Sequence, residues 1–237
     1  MLTFLPVIFI IVAGMWYAII RNKLTIPAAI TGVAVATALF AGAGYVGFIM
    51  MTFFFMLGTL ATSHKKNIKQ QLGIAEENKG RRVATQVLAN AGVQGLLGLI
   101  MLTDVQHKEI YLLMIAAAFS SATADTMSSE LGNVYGKRFY NILNFKKDVR
   151  GRDGVVSLEG TLAGVLGSVM IALVFACFQQ FDKRFIVIVV AGTVGNIMDS
   201  LLGATLEKRQ VIGNNAVNFL NTISAAITAA LLMWMWY

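Results

Sequence analysis

Apolar residues come along this chain in long runs broken by short polar intervals, with little of the apolar–polar alternation that marks half-buried strands. Runs near 20 residues match the length of a helix that crosses a hydrocarbon core of about 30 Å. The pattern predicts helices over residues 2–20, 26–41, 45–61, 83–103, 110–129, 155–178, 185–206 and 216–236. The second and third share one apolar run of 36 residues (26–61), too long for a single crossing, and the Ala-Gly-Ala-Gly stretch at 41–44 offers the place to turn. The expected fold class is all-α: a polytopic membrane helix bundle of about eight transmembrane helices, forming one integral-membrane domain over 1–237.

Composition points to the same solvent. Hydrophobic residues make up 57% of the chain and charged residues 13%, and the mean hydropathy is +0.70, which excludes an ordinary soluble domain. Charge then tests the helix count, because short cytoplasmic loops retain Lys and Arg. With eight spans and both termini outside, sixteen of the nineteen basic residues fall inside, and only Lys108, Lys183 and Arg184 remain outside. Fusing the second and third spans would put Arg21 and Lys23 on the wrong side. The expectation is a cell (inner) membrane protein with cytoplasmic basic loops at about 63–82 and 130–154. The first span has no basic leader or small-residue cleavage site, so it reads as a retained helix. The net charge of +7 is spread over membrane-flanking loops without a recognition motif, which argues for a lipid bilayer as partner and against nucleic acid.

Cys177 stands alone in an apolar span, where packing is its expected role. His64 and His107 fall on opposite sides of the membrane in this topology, so the chemistry must run without histidine. The unusual residues are carboxylates within or at the ends of spans, where ionisable groups are costly unless they face a cavity or a partner. Asp125, Glu130, Glu159, Asp199 and Glu207 lie at similar depth toward the inner side. Amides accompany them: Gln86, Asn90 and Gln94 form one helical stripe, and Asn214, Asn218 and Asn221 another. Single amides in membrane helices also serve as interhelical hydrogen-bonding groups, and the glycines of 92–98 and 160–167 read as close-packing positions. Residues 132–138, Gly-Asn-Val-Tyr-Gly-Lys-Arg, lack the spacing and the hydroxyl residue of a Walker motif.

Segments 63–82 and 136–154 carry twelve basic residues and lead into the helices bearing the amides and Glu159. A charge run is ordinarily a solvated face. The competing reading is that Lys146, Lys147, Arg152 and the Gly-rich turn 150–154 hold phosphates above a carboxylate-bound Mg²⁺. Carboxylates, amides and cations at a membrane face suit an anionic head group on a lipid tail, which favours phosphoryl or prenyl transfer. A transporter of an organic anion and a nucleotide-dependent lipid head-group transferase are the alternatives. Transport predicts a site near the midplane.

Five segments carry a family resemblance: "RRVATQVLANAGV" (81–93), "ATADTMSSELG" (122–132), "GRDGVVSLEGTLAG" (151–164), "NIMDSLLGATLE" (196–207) and "GNNAVNFLNT" (213–222). With them the chain resembles the integral-membrane family that contains the plant phytyl-phosphate kinase of the vitamin E pathway and the transmembrane-protein-19 group. The resemblance implies a kinase that converts a prenyl or phytyl monophosphate to the diphosphate with Mg²⁺ and a nucleoside triphosphate, CTP or ATP. The matching polar positions are Asn90, Asp125, Thr126, Glu130, Ser157, Asp199, Ser200, Asn214, Asn215 and Asn218, with departures at Met127, Arg150 and Arg152. Within that frame Asp125, Glu130 and Asp199 are expected to act in catalysis by binding Mg²⁺. Asn90, Ser157, Asn214, Asn215 and Asn218 are expected to contact phosphate or substrate. A homo-oligomer is compatible with all of this.

Overall fold

The computed structural model of the protein describes residues 5–73 and 81–236. The expectations for residues 2–4, for Lys79 and for the middle of the first basic loop (74–80) lie outside the described residues. Helices α1 (Leu5–Ile20), α2 (Ile26–Ser63) and the short α3 (Lys66–Gln71) are followed by α4 (Ala84–Thr103), α5 (Lys108–Tyr135), α6 (Leu158–Phe178), α7 (Lys183–Leu202) and α8 (Asn214–Trp234). Six of these are long and apolar enough to cross a membrane, and α1 is a shorter apolar helix.

The 38-residue α2 counts once among those six but is two antiparallel segments. Gly44 leaves helical geometry, with φ 61° and ψ −151°. An unbroken helix of that length would hold its ends about 57 Å apart. Instead Lys23 Nζ, just before α2, donates to Ser63 Oγ at its far end at 2.6 Å. The Ala-Gly-Ala-Gly stretch is therefore the tip of a helical hairpin, across which Phe40 meets Tyr45 edge-on at 5.1 Å and Ala36 packs with Phe48. The described residues thus contain eight apolar helical segments, as the hydropathy pattern predicts.

Helix α5 is the axis of the bundle. Every residue from Ile115 to Ala124 is fully buried, and seven of those ten are Ala or Ser. Small residues let neighbouring backbones approach closely where no hydrophobic effect drives helices together. The glycines of α6 show how: a Cβ at Gly160 would sit 2.8 Å from the Ser128 carbonyl, and one at Gly164 would sit 3.0 Å from that of Ala124. Large apolar side chains point outward instead, as in the exposed Leu158, Leu162 and Leu166 row on α6. Cys177 corrects its expectation, being exposed on α6 rather than packed.

Two elements were not foreseen in the loops. Helix α3 docks through Lys69, and residues 136–157 fold around a two-stranded antiparallel ladder, β1 (Tyr140–Asn141) with β2 (Val155–Val156), pairing Tyr140 with Val156 and Asn141 with Val155. Helix α5 also runs six residues beyond its predicted end, because its polar last turns find partners in α3 and α6. His64 and His107 lie at opposite ends of the bundle, bonded to Tyr135 and Asp104 respectively.

Candidate active site

A cavity of about 290 Å³ opens at the end of the bundle that carries α3 and the loops 136–157 and 208–213. Its walls come from α4 (Gln86, Asn90), α5 (Asp125, Thr126, Glu130), α7 (Asn196, Asp199, Ser200) and α8 (Asn214, Asn218), and Arg82, Arg152, Asp153 and Glu207 stand at its rim. Residues separated by more than a hundred positions in sequence meet here because α4, α7 and α8 all flank the buried α5.

Asp125 and Asp199 line this cavity together, close enough for their carboxyl groups to interact. Two carboxylates at that range repel unless a proton or a cation lies between them. Asp199 is oriented from behind: Asn221 Nδ2 donates to its Oδ1 at 2.8 Å, and Ser121 Oγ donates to Asn221 Oδ1 at 3.1 Å. Asn221 is thus both a hydrogen-bonding link between α5, α7 and α8 and the support of one carboxylate. On α4, Asn90 turns its amide nitrogen to the Gln86 carbonyl at 2.9 Å, which leaves Asn90 Oδ1 buried without a partner in the cavity wall. An orphaned acceptor of this kind is costly unless a donor or cation meets it.

Among the described residues, no three His, Cys, Asp or Glu side chains cluster closely enough to form a metal site alone. The donors present nonetheless suit Mg²⁺, which is commonly held by one or two carboxylates and completed by water and substrate phosphates. Five acids line the cavity against two arginines, so an anionic substrate needs a cation to enter.

The loop 151–154 reaches the cavity by a backbone approach that only glycine allows. Gly154 has φ +70°, and a Cβ there would fall 2.2 Å from the Ala204 side chain. This contact seats the loop on the π turn Gly203–Glu207, where the wider winding of the backbone, with Lys208 N bonded to Gly203 O at 3.1 Å, carries Glu207 to the cavity. Arg152 at the rim bonds Asp148 Oδ1 at 3.2 Å. The Val149 backbone N–H and this arginine hold the Asp148 carboxyl below the usual carboxylate range.

Five of the expected site residues have partners or positions of their own. Glu130 lines the cavity, but its carboxylate is paired with the buried Lys69, which also donates to the carbonyls of Ala61 and Thr62. That pairing neutralises Glu130 and makes it a poor metal ligand. Ser157 Oγ caps α6, accepting from Gly160 N at 3.1 Å, and so has a structural task at the cavity edge. Lys146 and Lys147 are exposed beside the small ladder and do not line the cavity. Asn215 is also absent from the lining, its amide donating to Thr85 Oγ1 at 3.1 Å. Conversely, Arg82 and Gln86 reach the cavity although neither stood among the expected site residues; Arg82 was hidden in a run of basic residues that topology already explained.

The chain matches the model of the family described as integral membrane protein DUF92 over residues 9–226. It belongs to that family. Its relatives include Protein VTE6, chloroplastic, of Arabidopsis thaliana, 32% identical over 92% of this chain and 72% of that protein. An uncharacterized membrane protein of Synechocystis sp. is 30% identical over 81% of this chain and 75% of its own length. One of Methanocaldococcus jannaschii is 33% identical over 80% of this chain and 77% of its own. No solved structure matches. As a member of DUF92 the protein is a multi-pass integral membrane protein.

Proposed function

We propose that this DUF92 protein is a lipid-phosphate kinase that converts a prenyl or phytyl monophosphate to the diphosphate, using Mg²⁺ and a nucleoside triphosphate, CTP or ATP, at a site facing the cytoplasm. The observation that carries the reading is the juxtaposition of Asp125 and Asp199 in a cavity that two arginines also line, at one end of a membrane bundle. Asp125, Asp199 and Asn90 Oδ1 are the donors that would hold the cation, whose chemistry is to neutralise charge on the transferring phosphoryl group.

In the reaction, an oxygen of the lipid monophosphate attacks the γ-phosphorus, a new P–O–P bond forms, and the bond to the β-phosphate oxygen breaks to release the nucleoside diphosphate. A phosphate monoester has a second pKa of about 6, so its nucleophilic oxygen is already ionised at neutral pH and requires no strong base. That accounts for a site built without histidine. Arg82 and Arg152 offset phosphate charge, and Asn214 and Asn218 orient phosphate oxygens where α8 begins without a side-chain cap on its N–H groups. The position of the cavity at one end of the bundle, rather than at its midplane, supports transfer over alternating-access transport.

The test is purified protein in detergent with γ-labelled nucleoside triphosphate, Mg²⁺ and a panel of prenols and prenyl monophosphates. Label appearing on monophosphates alone is the expected result. Label on the free alcohols, or substrate flux in sealed vesicles without nucleotide turnover, contradicts it.

A further inference from the structure

A second cavity, of about 160 Å³ and almost wholly apolar, lies between α1, the α2 hairpin and α4. It shares three residues with the polar cavity: Arg82, Gln86 and Asn90. The two spaces therefore meet at one polar junction, where Arg82 stacks over the rings of Phe54 and Phe55 at 5.5 and 5.9 Å. We propose that this groove binds the isoprenoid tail of the substrate and that Arg82, Gln86 and Asn90 mark where tail becomes head group. The proposal deepens the kinase reading and rests on it for the identity of the head group.

Dimensions and shape support a branched chain. Along α1 the groove runs from Ile10 to Ala18, about 12 Å at the helical rise, which approaches the thickness of one leaflet of hydrocarbon. Its floor is notched: Gly14 and Ala18 on α1, and Gly32 and Ala36 on α2, lie one turn apart on each helix and leave recesses that suit methyl branches. Gly14 and Gly32 have no heavy atom within 4 Å of where a Cβ would stand, so these glycines face open space and do not serve close helix packing. Aromatic rings of Phe48, Phe54 and Phe55 form the opposite wall. Helix α1 leans chiefly on α2 and turns Phe9, Trp16 and Tyr17 outward, making it a thin wall between the groove and the surrounding lipid.

Because both glycines face open space, Gly14→Leu and Gly32→Leu can fill the groove without displacing backbone. The full-length protein in detergent is tested with two probes, phytyl monophosphate and dimethylallyl monophosphate, and with a phytyl monophosphate carrying a photoreactive group at the tail end. Gly32→Leu is expected to weaken phytyl monophosphate binding by about tenfold or more, the loss for two or more displaced methylenes, and to leave the short probe unchanged. Photolabel is expected on α1 and α2. Should Gly32→Leu fail to fold, Gly14→Leu and the photolabel in the wild-type protein decide the question. Phytyl monophosphate affinity unchanged from wild type in both variants, label confined to other helices, or protection by bulk phospholipid as strong as by unlabelled phytyl monophosphate overturns the groove. Tail-dependent binding that Gly32→Leu weakens, with no γ-phosphate transfer by the wild type, upholds the groove and overturns the kinase. Transfer with an unchanged chain-length profile in both variants does the reverse.

Discussion

Carboxylates at the two ends of this bundle are treated differently. At the end formed by 104–107 and 179–182, two acids have local partners: Asp104 accepts from Tyr111 at 2.8 Å and contacts His107 at 2.8 Å, and Asp182 is bonded by Arg184. Those bonds, with Tyr111 the larger influence on Asp104 and the Arg184 side chain on Asp182, hold both carboxyls below their ordinary range. At the other end Asp125 faces Asp199, with Glu207 and Glu130 nearby, and Lys69 is committed to Glu130. Acids placed for structure bring their counter-charge with them. Acids left facing one another need a ligand to supply it, which makes the second end a candidate for chemistry.

The contrast can be broken by substitution. The largest effect is expected at Lys69, where Lys69→Met strands a buried Glu130 and should cost about 3–5 kcal/mol of stability. Thermal unfolding in detergent measures it, and adding Glu130→Gln should restore most of the loss. Next, Asp125→Asn or Asp199→Asn should lower γ-phosphate transfer by about 10²–10³-fold while leaving the melting temperature close to wild type. Asn221→Ala removes only the group that orients Asp199, and should raise the Mg²⁺ concentration needed for half-maximal transfer by about 10–100-fold. The smallest effect belongs to the far end: Asp104→Asn should not change transfer. Because the folded-state carboxyl of Asp104 titrates below its ordinary value, its contribution to stability is complete above about pH 4 and is lost as pH falls through the lowered value. Wild type and Asp104→Asn should therefore differ in melting temperature at neutral pH and converge in acid.

The helices were legible because membrane spans are read by length and hydropathy, and even the hairpin was written in four residues, 41–44. The meeting of Asp125 with Asp199 followed from their similar depth on two helices that run in the same direction. What sequence could not carry was pairing among polar groups. Nothing at Glu130 distinguishes it from Asp125 until Lys69 is seen to reach it from a six-residue helix inside a basic loop. Ser157 lines the cavity as the sequence suggested, but that its hydroxyl also caps α6 shows only in the structure. Lys146 and Lys147 share a charge run with Arg152, yet the turn at 142–147 leaves them in solvent and directs only Arg152 to the cavity. Arg82 is the opposite case, a cavity-lining position indistinguishable by composition from its topological neighbours.

The central claim is that Asp125 and Asp199 form a cation site that their far-end counterparts do not. Mn²⁺ binding to the purified protein with phytyl monophosphate present, followed by loss of the free-ion electron paramagnetic resonance signal, tests it most directly. Saturable binding in wild type and in Asp104→Asn, abolished in Asp199→Asn, is the predicted result. Equal binding in wild type and Asp199→Asn would contradict the account.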